Sequence, residues 1–274
     1  MTSNTTVTII TGASEGIGAE LARQLATRYG AGLSLVVAAR KREALDAVAD
    51  MCRAKGSQVL VVPTDVSVEA QCRALIQTTL DAFGRIDTLV NNAGVSAQAL
   101  FQDVDAQDLH WYEDLMRVNL WGSVWCTHAA LPHIKQAQGR IVAVSSLAGL
   151  IGVPGRTAYS ASKFAMTGFF EALRAELKPS GVSVTTAFPG VVLTDIRAHG
   201  LNAKGEVAGS SGLKEDKAMT VSECAYLIAT GMQKRQREVV MTAQGKLGRF
   251  LKLLLPGVVE NMAMAALKDE VKPK

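Results

Sequence analysis

The chain has 274 residues, of which 48% are hydrophobic, and this length suits one large α/β domain or two small ones. Lysine and arginine number 29 against 25 aspartates and glutamates, and they are dispersed along the sequence, which argues against a nucleic-acid-binding protein. Neither an interdomain linker nor an internal repeat is visible. We therefore expect a single domain.

The four cysteines are far apart and form neither a C-x-x-C pair nor a cluster with histidine, so we expect free thiols in a reducing compartment and no metal site. The first residues, MTSNTTVTIITG, lack the basic and apolar regions of a signal peptide. No apolar run reaches the length of a membrane span. These features predict a cytoplasmic protein.

A glycine-rich turn follows the first predicted strand, at 7–10. The turn runs from Gly12 to Gly18, and a helical pattern begins at its end. Free N–H groups and the positive end of the helix dipole then face whatever lies above the turn. The turn therefore predicts a pyrophosphate site, although its spacing is G-x-x-x-G-x-G and not the commoner G-x-G-x-x-G.

The second predicted strand, at 33–39, ends at Ala39 and is followed by Arg40, Lys41 and Arg42. In dinucleotide sites an acidic residue at this strand end bonds the ribose 2′-hydroxyl, whereas arginine accepts a 2′-phosphate. The sequence therefore favours NADP(H), with NAD(H) as the alternative cofactor. The other interpretation is a solvated basic helix start, which the helix dipole disfavours.

Strands and helices alternate through the rest of the chain. Further strands are predicted at 58–62, 88–90, 141–144, 182–188 and 238–241, and helices at 43–55, 68–83, 106–118, 120–135, 157–177 and 222–234. Asn119 lies between two of these helices, and one interpretation of this position is that Asn119 caps a helix. The series predicts an α/β protein with a three-layer, doubly wound Rossmann fold and a seven-stranded parallel sheet.

The stretch 139–170 organises the predicted site. Tyr159 and Lys163 are four residues apart and share one face of a helix, while Ser146 follows the preceding strand. An ammonium one turn away favours a phenolate, and a serine hydroxyl can bond a substrate oxygen. The trio predicts proton transfer to or from a hydroxyl. An isolated Tyr-x-x-x-Lys pair is usually part of an ordinary helix surface. The other motifs of the chain therefore decide whether this pair is catalytic.

Two segments near the end of the chain differ in composition. Residues 195–220 are rich in glycine, alanine, serine and charge, which predicts a mobile lid on a domain covering 1–245. The extension at 246–274 begins with leucines interspersed with Lys246, Arg249 and Lys252. The part at 246–267 either packs on its own domain or a sister subunit, or makes a weak membrane-surface contact.

Taken together, the motifs resemble, in order and spacing, those of the short-chain dehydrogenase/reductases, over residues 7 to about 241. The runs at 145–149 and 158–164 are similar to the 11β-hydroxysteroid dehydrogenase branch, whose N-terminal membrane anchor has no counterpart in this sequence. The motifs are Thr11-Gly12-x-x-x-Gly16-Ile17-Gly18, Asn91-Asn92-Ala93-Gly94, Asn119, Ser146, Tyr159-x-x-x-Lys163 and Pro189-Gly190-x-x-x-Thr194.

The resemblance implies a role for each of these residues. Tyr159 would be the general acid/base, and Lys163 would favour its ionised form and bind the nicotinamide ribose. Ser146 would position the substrate oxygen, and Asn119 would hold a water of the proton relay. Glu15 takes the place where NADP(H) enzymes of the family often carry a basic residue. The implied cofactor-binding residues are Gly12, Ser14, Glu15, Gly16, Ile17, Gly18, Arg40, Lys41, Asp65, Val66, Asn92, Ala93, Gly94, Tyr159, Lys163, Pro189, Gly190, Val192 and Thr194.

We therefore expect a reversible carbonyl–alcohol oxidoreductase, acting on a lipophilic steroid, retinoid, fatty acyl or aromatic compound. The alternatives are an NADP(H)-binding regulatory or scaffold protein, and an epimerase or dehydratase on the same fold. The family usually pairs two helices, here 120–135 and 157–177, so a homodimer or homotetramer is expected. The sequence leaves the substrate and the direction of reaction open.

Overall fold

The computed structural model describes residues 5–216 and 218–267. Three parts of the predictions fall outside the described residues: the first four residues, residue 217 of the lid, and 268–274 of the extension. The strands are β1 Thr6–Thr11, β2 Leu33–Ala39, β3 Gln58–Pro63, β4 Thr88–Asn91, β5 Arg140–Val144, β6 Ser183–Phe188 and β7 Glu238–Val240. The α-helices are α1 Gly16–Tyr29, α2 Arg42–Arg53, α3 Glu69–Phe83, α4 His110–Met116, α5 Gly122–Gln136, α6 Thr157–Glu176, α7 Val221–Gln233, α8 Ala243–Leu254 and α9 Pro256–Ala265.

The seven strands form one parallel sheet in the order β3-β2-β1-β4-β5-β6-β7. The order reverses between β1 and β4, so the chain leaves these two neighbouring strands in opposite directions. Such a switch point opens a crevice at the carboxyl ends of the strands, where ligands of this fold class bind. The predicted doubly wound fold is confirmed.

Alternating side chains of the strands build two cores, one on each face of the sheet. Ile10 points to the face covered by α1, α2 and α7, where Leu21 and Ile228 are buried. Ile9 points to the face covered by α3, α5 and α6, where Leu75 and Phe170 are buried. Both faces of each central strand are therefore apolar, as expected for a parallel sheet enclosed by two helical layers.

The helical region that contains Asn119 differs from the prediction. We expected two helices separated at Asn119, but the backbone stays helical from α4 through a π-helical turn, Arg117–Trp121, into α5. The helix-cap interpretation is therefore wrong. A π-turn adds one residue to the helical path and is frequent at functional sites, because it turns a side chain out of register with the flanking turns.

The segment 243–267 forms a helical pair, α8 and α9, that packs against its own domain. Val259 and Leu267 are buried, and the Lys214 N–H donates to the Ala266 carbonyl at 3.1 Å. The outer face of α8 is apolar and exposed, with Phe250 63% and Leu253 80% accessible. Within the described ranges, no helix combines the length and apolarity needed to cross a bilayer.

Phe170 tests the packing of α6 on the sheet. Its ring is fully buried and meets Phe169 edge-on, with 5.0 Å between the ring centroids. We expect Phe170→Ala to lower the free energy of unfolding by about 3–5 kcal/mol, because the cavity cannot collapse completely. Phe250→Ala removes the same group from a solvent-exposed position and should change stability by less than about 0.5 kcal/mol. Equal losses in urea titrations of the two variants would contradict this packing.

Candidate active site

A cleft of about 1440 Å³ lies along the carboxyl edge of the sheet. Small-molecule sites usually enclose about 300–1,000 Å³, so this cleft has room for a dinucleotide and a second ligand. The predicted residues that line it are Gly12, Ser14, Glu15, Gly16, Ile17, Arg40, Lys41, Asp65, Val66, Asn92, Ala93, Gly94, Ser146, Tyr159, Lys163, Pro189, Gly190, Val192 and Thr194. Gly18 and Asn119 are buried and do not belong to the cleft lining.

The glycine-rich turn is closely packed, and two of its glycines are required by space. A Cβ on Gly12 would lie 2.7 Å from the Ala93 Cα, and a Cβ on Gly18 would lie 2.2 Å from the Gly12 carbonyl oxygen. The Asn92 amide donates to the Thr11 and Gly12 carbonyls at 2.9 and 3.0 Å. Gly18 thus serves the packing of the turn.

The N-terminus of α1 fits a pyrophosphate. No side chain caps this helix at Glu15, so the first N–H groups of the helix remain available to an anion. Gly16 and Ile17, which begin the helix, line the cleft, and Thr194 lies beside Gly16 from the opposite wall. A phosphate placed here would meet backbone donors and the positive end of the helix dipole.

The end of the cleft beyond β2 is basic. Arg40 and Lys41 line it directly after Ala39, and no acidic residue occupies this strand end. Asp65, on the neighbouring wall, uses one carboxylate oxygen to accept from the Ser67 N–H at 2.9 Å and from the Ser67 hydroxyl at 2.7 Å. The two cations are therefore the charged groups of the β2 end that face a ligand.

Lys163 is the most buried charged group of the cleft. Its ammonium donates to the Val144 carbonyl at 3.0 Å and lies 5.8 Å from the centroid of the Tyr159 ring. Burial lowers the pKa of Lys163, and the interaction with Tyr159 opposes this change. The contact with Val144 ties α6 to the end of β5, so the helix delivers both side chains to the sheet edge.

The two adjacent serines after β5 have different environments. The Ser145 hydroxyl donates to the Lys163 carbonyl at 3.2 Å and also contacts the Thr167 hydroxyl, so it is used within the chain. Ser146 accepts from the Ala148 N–H at 3.1 Å, and the described part of the chain offers its own O–H no acceptor. Ser146 is thus the serine with a hydrogen to donate into the cleft.

Asn119 connects the π-turn to the rest of the site. Its side-chain oxygen accepts from the Val95 N–H at 2.8 Å, and its amide donates to the Val95 carbonyl at 3.0 Å and to the Ser162 hydroxyl at 2.9 Å. Ser162 in turn donates to the Tyr159 carbonyl at 2.8 Å. Asn119 thereby fixes α6 relative to the loop after β4, beside the catalytic candidates.

Sequence reasoning missed two buried arginines in the cleft wall, Arg156 and Arg197. Arg156 precedes Tyr159 by three residues, a spacing that places two residues on one side of a helix start. Its guanidinium carbon lies 4.5 Å from the centroid of the Tyr159 ring. Arg197 belongs to the predicted lid and carried no motif that could have identified it.

Comparisons with known proteins agree with this geometry. A family model described as short chain dehydrogenase matches residues 6–204. The 11-beta-hydroxysteroid dehydrogenase-like 4A of Arabidopsis thaliana is 47% identical over 190 residues, covering 69% of this chain and 62% of that relative. The aligned region thus spans less than two thirds of that relative's length. The 11-beta-hydroxysteroid dehydrogenase-like 2 of the same plant is 35% identical over 269 residues, covering 97% of this chain and 83% of that relative.

A solved structure supports the fold independently. A short chain dehydrogenase/reductase from Burkholderia phymatum, crystallised in complex with NAD, superposes with a TM-score of 0.78 at 26% sequence identity. The superposition covers 94% of this chain and 96% of that protein. The motifs, the sheet order and the cleft therefore agree with the same family.

Proposed function

Because the chain belongs to the short-chain dehydrogenase/reductase family, we propose that it is an NADP(H)-dependent oxidoreductase that interconverts a carbonyl and a secondary alcohol. The observation that carries the proposal is the meeting of Ser146, Tyr159 and Lys163 in the cleft that also contains the glycine-rich turn. A proton-transfer group and a dinucleotide cradle in one cleft are what such a reaction requires.

Each residue of the trio has a defined task in this proposal. When bound, the nicotinamide ring supplies or accepts the hydride. Tyr159 donates a proton to the carbonyl oxygen during reduction and takes it back during oxidation, while the Ser146 hydroxyl bonds the same oxygen. Lys163 favours the phenolate and binds the nicotinamide ribose. Asn119 holds a water in the path of the proton.

The presence of Asn119, Ser146, Tyr159 and Lys163 together argues against a regulatory or scaffold protein that has kept only the fold. Such a protein would bind NADPH without oxidising it in the presence of any carbonyl compound. An epimerase or dehydratase would convert its substrate without a net change in nicotinamide absorbance. Both alternatives are therefore distinguished from a reductase by following absorbance and substrate in the same sample.

Tyr159 provides the direct test of the chemistry. We expect Tyr159→Phe to lower turnover at least about a hundredfold, because general acid/base groups contribute about 10²–10⁴-fold. NADPH consumption with a carbonyl substrate is the measurement. Tyr226→Phe, which removes a hydroxyl from an exposed residue of α7, is the matched control and should keep wild-type activity. A Tyr159→Phe variant with more than a few per cent of wild-type turnover would refute the role.

We assign the cofactor preference to Arg40, supported by Lys41. Both line the cleft where the adenosine ribose of a dinucleotide lies in this fold class, and arginine accepts a 2′-phosphate there. Glu15 occupies a place where a basic residue would help, but its carboxylate lies at the exposed start of α1, 3.7 Å from the His199 imidazole. Glu15 therefore lies beside His199, and Arg40 remains available to bind the 2′-phosphate.

Arg40→Ala tests this assignment in binding titrations followed by nicotinamide fluorescence. We expect the wild type to bind NADPH at least about tenfold more tightly than NADH, and Arg40→Ala to lose this preference, a change of about 1.4 kcal/mol. Arg42→Ala is the control, since Arg42 is exposed and pairs with Asp46 at 3.7 Å. Equal affinity of the wild type for both cofactors would show that the basic cluster is only a solvated helix start.

The substrate side of the cleft favours a lipophilic compound. The lining of the cleft includes apolar side chains of the loop after β5 and of the helical pair. Among them are Ile151, Val153, Val259 and Met262.

We also propose that α5 and α6 form the contact of a homodimer or homotetramer. The half-exposed Trp121, at the end of the π-turn directly before α5, supports this, and its ring stacks on that of Trp125 in α5 with 5.9 Å between the ring centroids. Sedimentation velocity measures this state.

A weak membrane contact through α8 is a further part of the proposal. The exposed leucines and Phe250 of its outer face are accompanied by Lys246, which is the pattern of a helix that lies in the surface of an anionic bilayer. The Lys252 ammonium instead donates to the Leu150 carbonyl at 3.1 Å. The inner side of the same helix lines the cleft through Gly245 and Gly248. A lipophilic substrate dissolved in a membrane would then lie next to the cleft.

Cosedimentation with vesicles tests this contact. We expect the wild type to pellet with phosphatidylglycerol vesicles and less with phosphatidylcholine vesicles, because the basic residues contribute to binding. The double variant Phe250→Asp with Leu253→Asp should remain in the supernatant. Val68→Asp, which changes an exposed valine at the start of α3, is the control. If the wild type stays in solution with both lipids, the patch has no membrane role.

A further inference from the structure

Arg156 is a buried cation at the substrate end of the cleft. It directly precedes α6, is only 7% exposed, and forms part of the cleft wall beside Tyr159. Burial lowers the pKa of its guanidinium, but arginine keeps its proton in proteins. The cleft therefore holds a permanent positive charge that the proton-transfer trio does not use.

This charge has no carboxylate partner within the described ranges of the chain. Its guanidinium donates to the Ser96 hydroxyl, and its Nε is buried without a hydrogen-bond acceptor. Burying a cation is costly unless an anion and further hydrogen bonds compensate. A neutral hydroxyl and the face of the Tyr159 ring compensate this cost only in part.

Arg197, the second buried arginine of the cleft wall, shows the contrast. Its guanidinium pairs with Glu215, with an N–O distance of 2.7 Å, and also donates to the Val192 carbonyl at 2.8 Å. The described part of the chain thus supplies an anion for one buried arginine and none for the other. The difference indicates that the anion for Arg156 comes from a ligand.

We propose that Arg156 binds a carboxylate of the substrate, so that the substrate is an amphipathic oxo acid or the corresponding hydroxy acid. This proposal rests on the proposed function, whose substrate class it makes more specific. A guanidinium is suited to a carboxylate because its planar set of N–H donors matches the two oxygens. The contact with Ser96 and the stacking on Tyr159 hold the guanidinium in place before the ligand arrives.

The position of Arg156 also limits where the carboxylate lies on the substrate. Its guanidinium carbon is 4.5 Å from the centroid of the Tyr159 ring, so a bound carboxylate lies close to the oxygen that Tyr159 protonates. The acid and the reacting carbonyl are therefore separated by only a few bonds. The remaining chain of the substrate extends along apolar residues of the cleft lining, such as Ile151, Val153 and Met262.

The competing explanation is that Arg156 acts only through Tyr159, by favouring its ionised form. In that case Arg156 is a positioning residue, and its loss weakens the reaction of every substrate equally. A carboxylate-binding residue discriminates between an acid and its neutral ester. Matched acids and esters therefore separate the two explanations.

The test uses medium-chain oxo acids that differ in the position of the oxo group, together with their methyl esters. We expect the wild type to favour at least one acid over its ester by about tenfold or more in kcat/KM, since hydrogen bonds to charged groups contribute that much. Arg156→Met should remove this preference by lowering kcat/KM for the acid about tenfold more than for the ester, and Arg156→Lys should restore part of the preference. Equal kcat/KM values of the wild type for acids and esters would overturn the proposal. An equal loss of kcat/KM for both in Arg156→Met would overturn it as well.

Binding measurements keep the inference separate from the catalytic proposal. The Tyr159→Phe variant retains the ring on which Arg156 stacks, so its NADPH complex is titrated calorimetrically with the same acids and esters. We expect an acid to bind about tenfold or more tightly than its ester, and this difference to vanish when Arg156→Met is added. If neutral ketones are reduced but no acid is preferred, the inference fails while the proposed function stands. If no carbonyl is reduced, the proposed function fails, and the calorimetric preference then decides only whether Arg156 binds a carboxylate.

Discussion

The buried ammonium of Lys163 is the interaction on which the rest of the site depends. A cation as buried as Lys163, which is 3% exposed, must be satisfied by fixed partners, and its ammonium donates to the Val144 carbonyl at the end of β5 at 3.0 Å. This contact sets the position of α6 against the sheet. The same helix segment is held from the other side by Asn119 through Ser162. Tyr159 therefore reaches the cleft on a helix with little freedom to move.

Much of this arrangement could be predicted from the sequence because it follows from local rules. A β-branched run, a glycine turn and a helix start specify the position of Gly12 and Gly16, and the alternation of strands and helices specifies a parallel sheet. Once the sheet is parallel, residues at strand ends meet at one edge. Nearly all of the predicted cofactor residues line one cleft for this reason.

The rest could not be predicted, because it depends on tertiary contacts. The π-turn at Asn119 gives no periodic signal, and its side chain is held by Val95 and Ser162, which are distant in sequence. Arg156 appears in the sequence as one more polar residue before a helix. The role we propose for Arg156 follows from its burial and from the lack of a carboxylate partner in the described part of the fold. Arg197, by contrast, pairs with Glu215.

The proposed function requires hydride to pass between a nicotinamide and a carbon atom in this cleft. To test this, the protein is incubated with NADPH that is deuterated at the transferable position of C4 and with a panel of lipophilic ketones and oxo acids. The products are then analysed by mass spectrometry. We expect at least one alcohol with a single deuterium on the carbon that carries the new hydroxyl. Bound NADPH with no deuterated alcohol anywhere in the panel would contradict it.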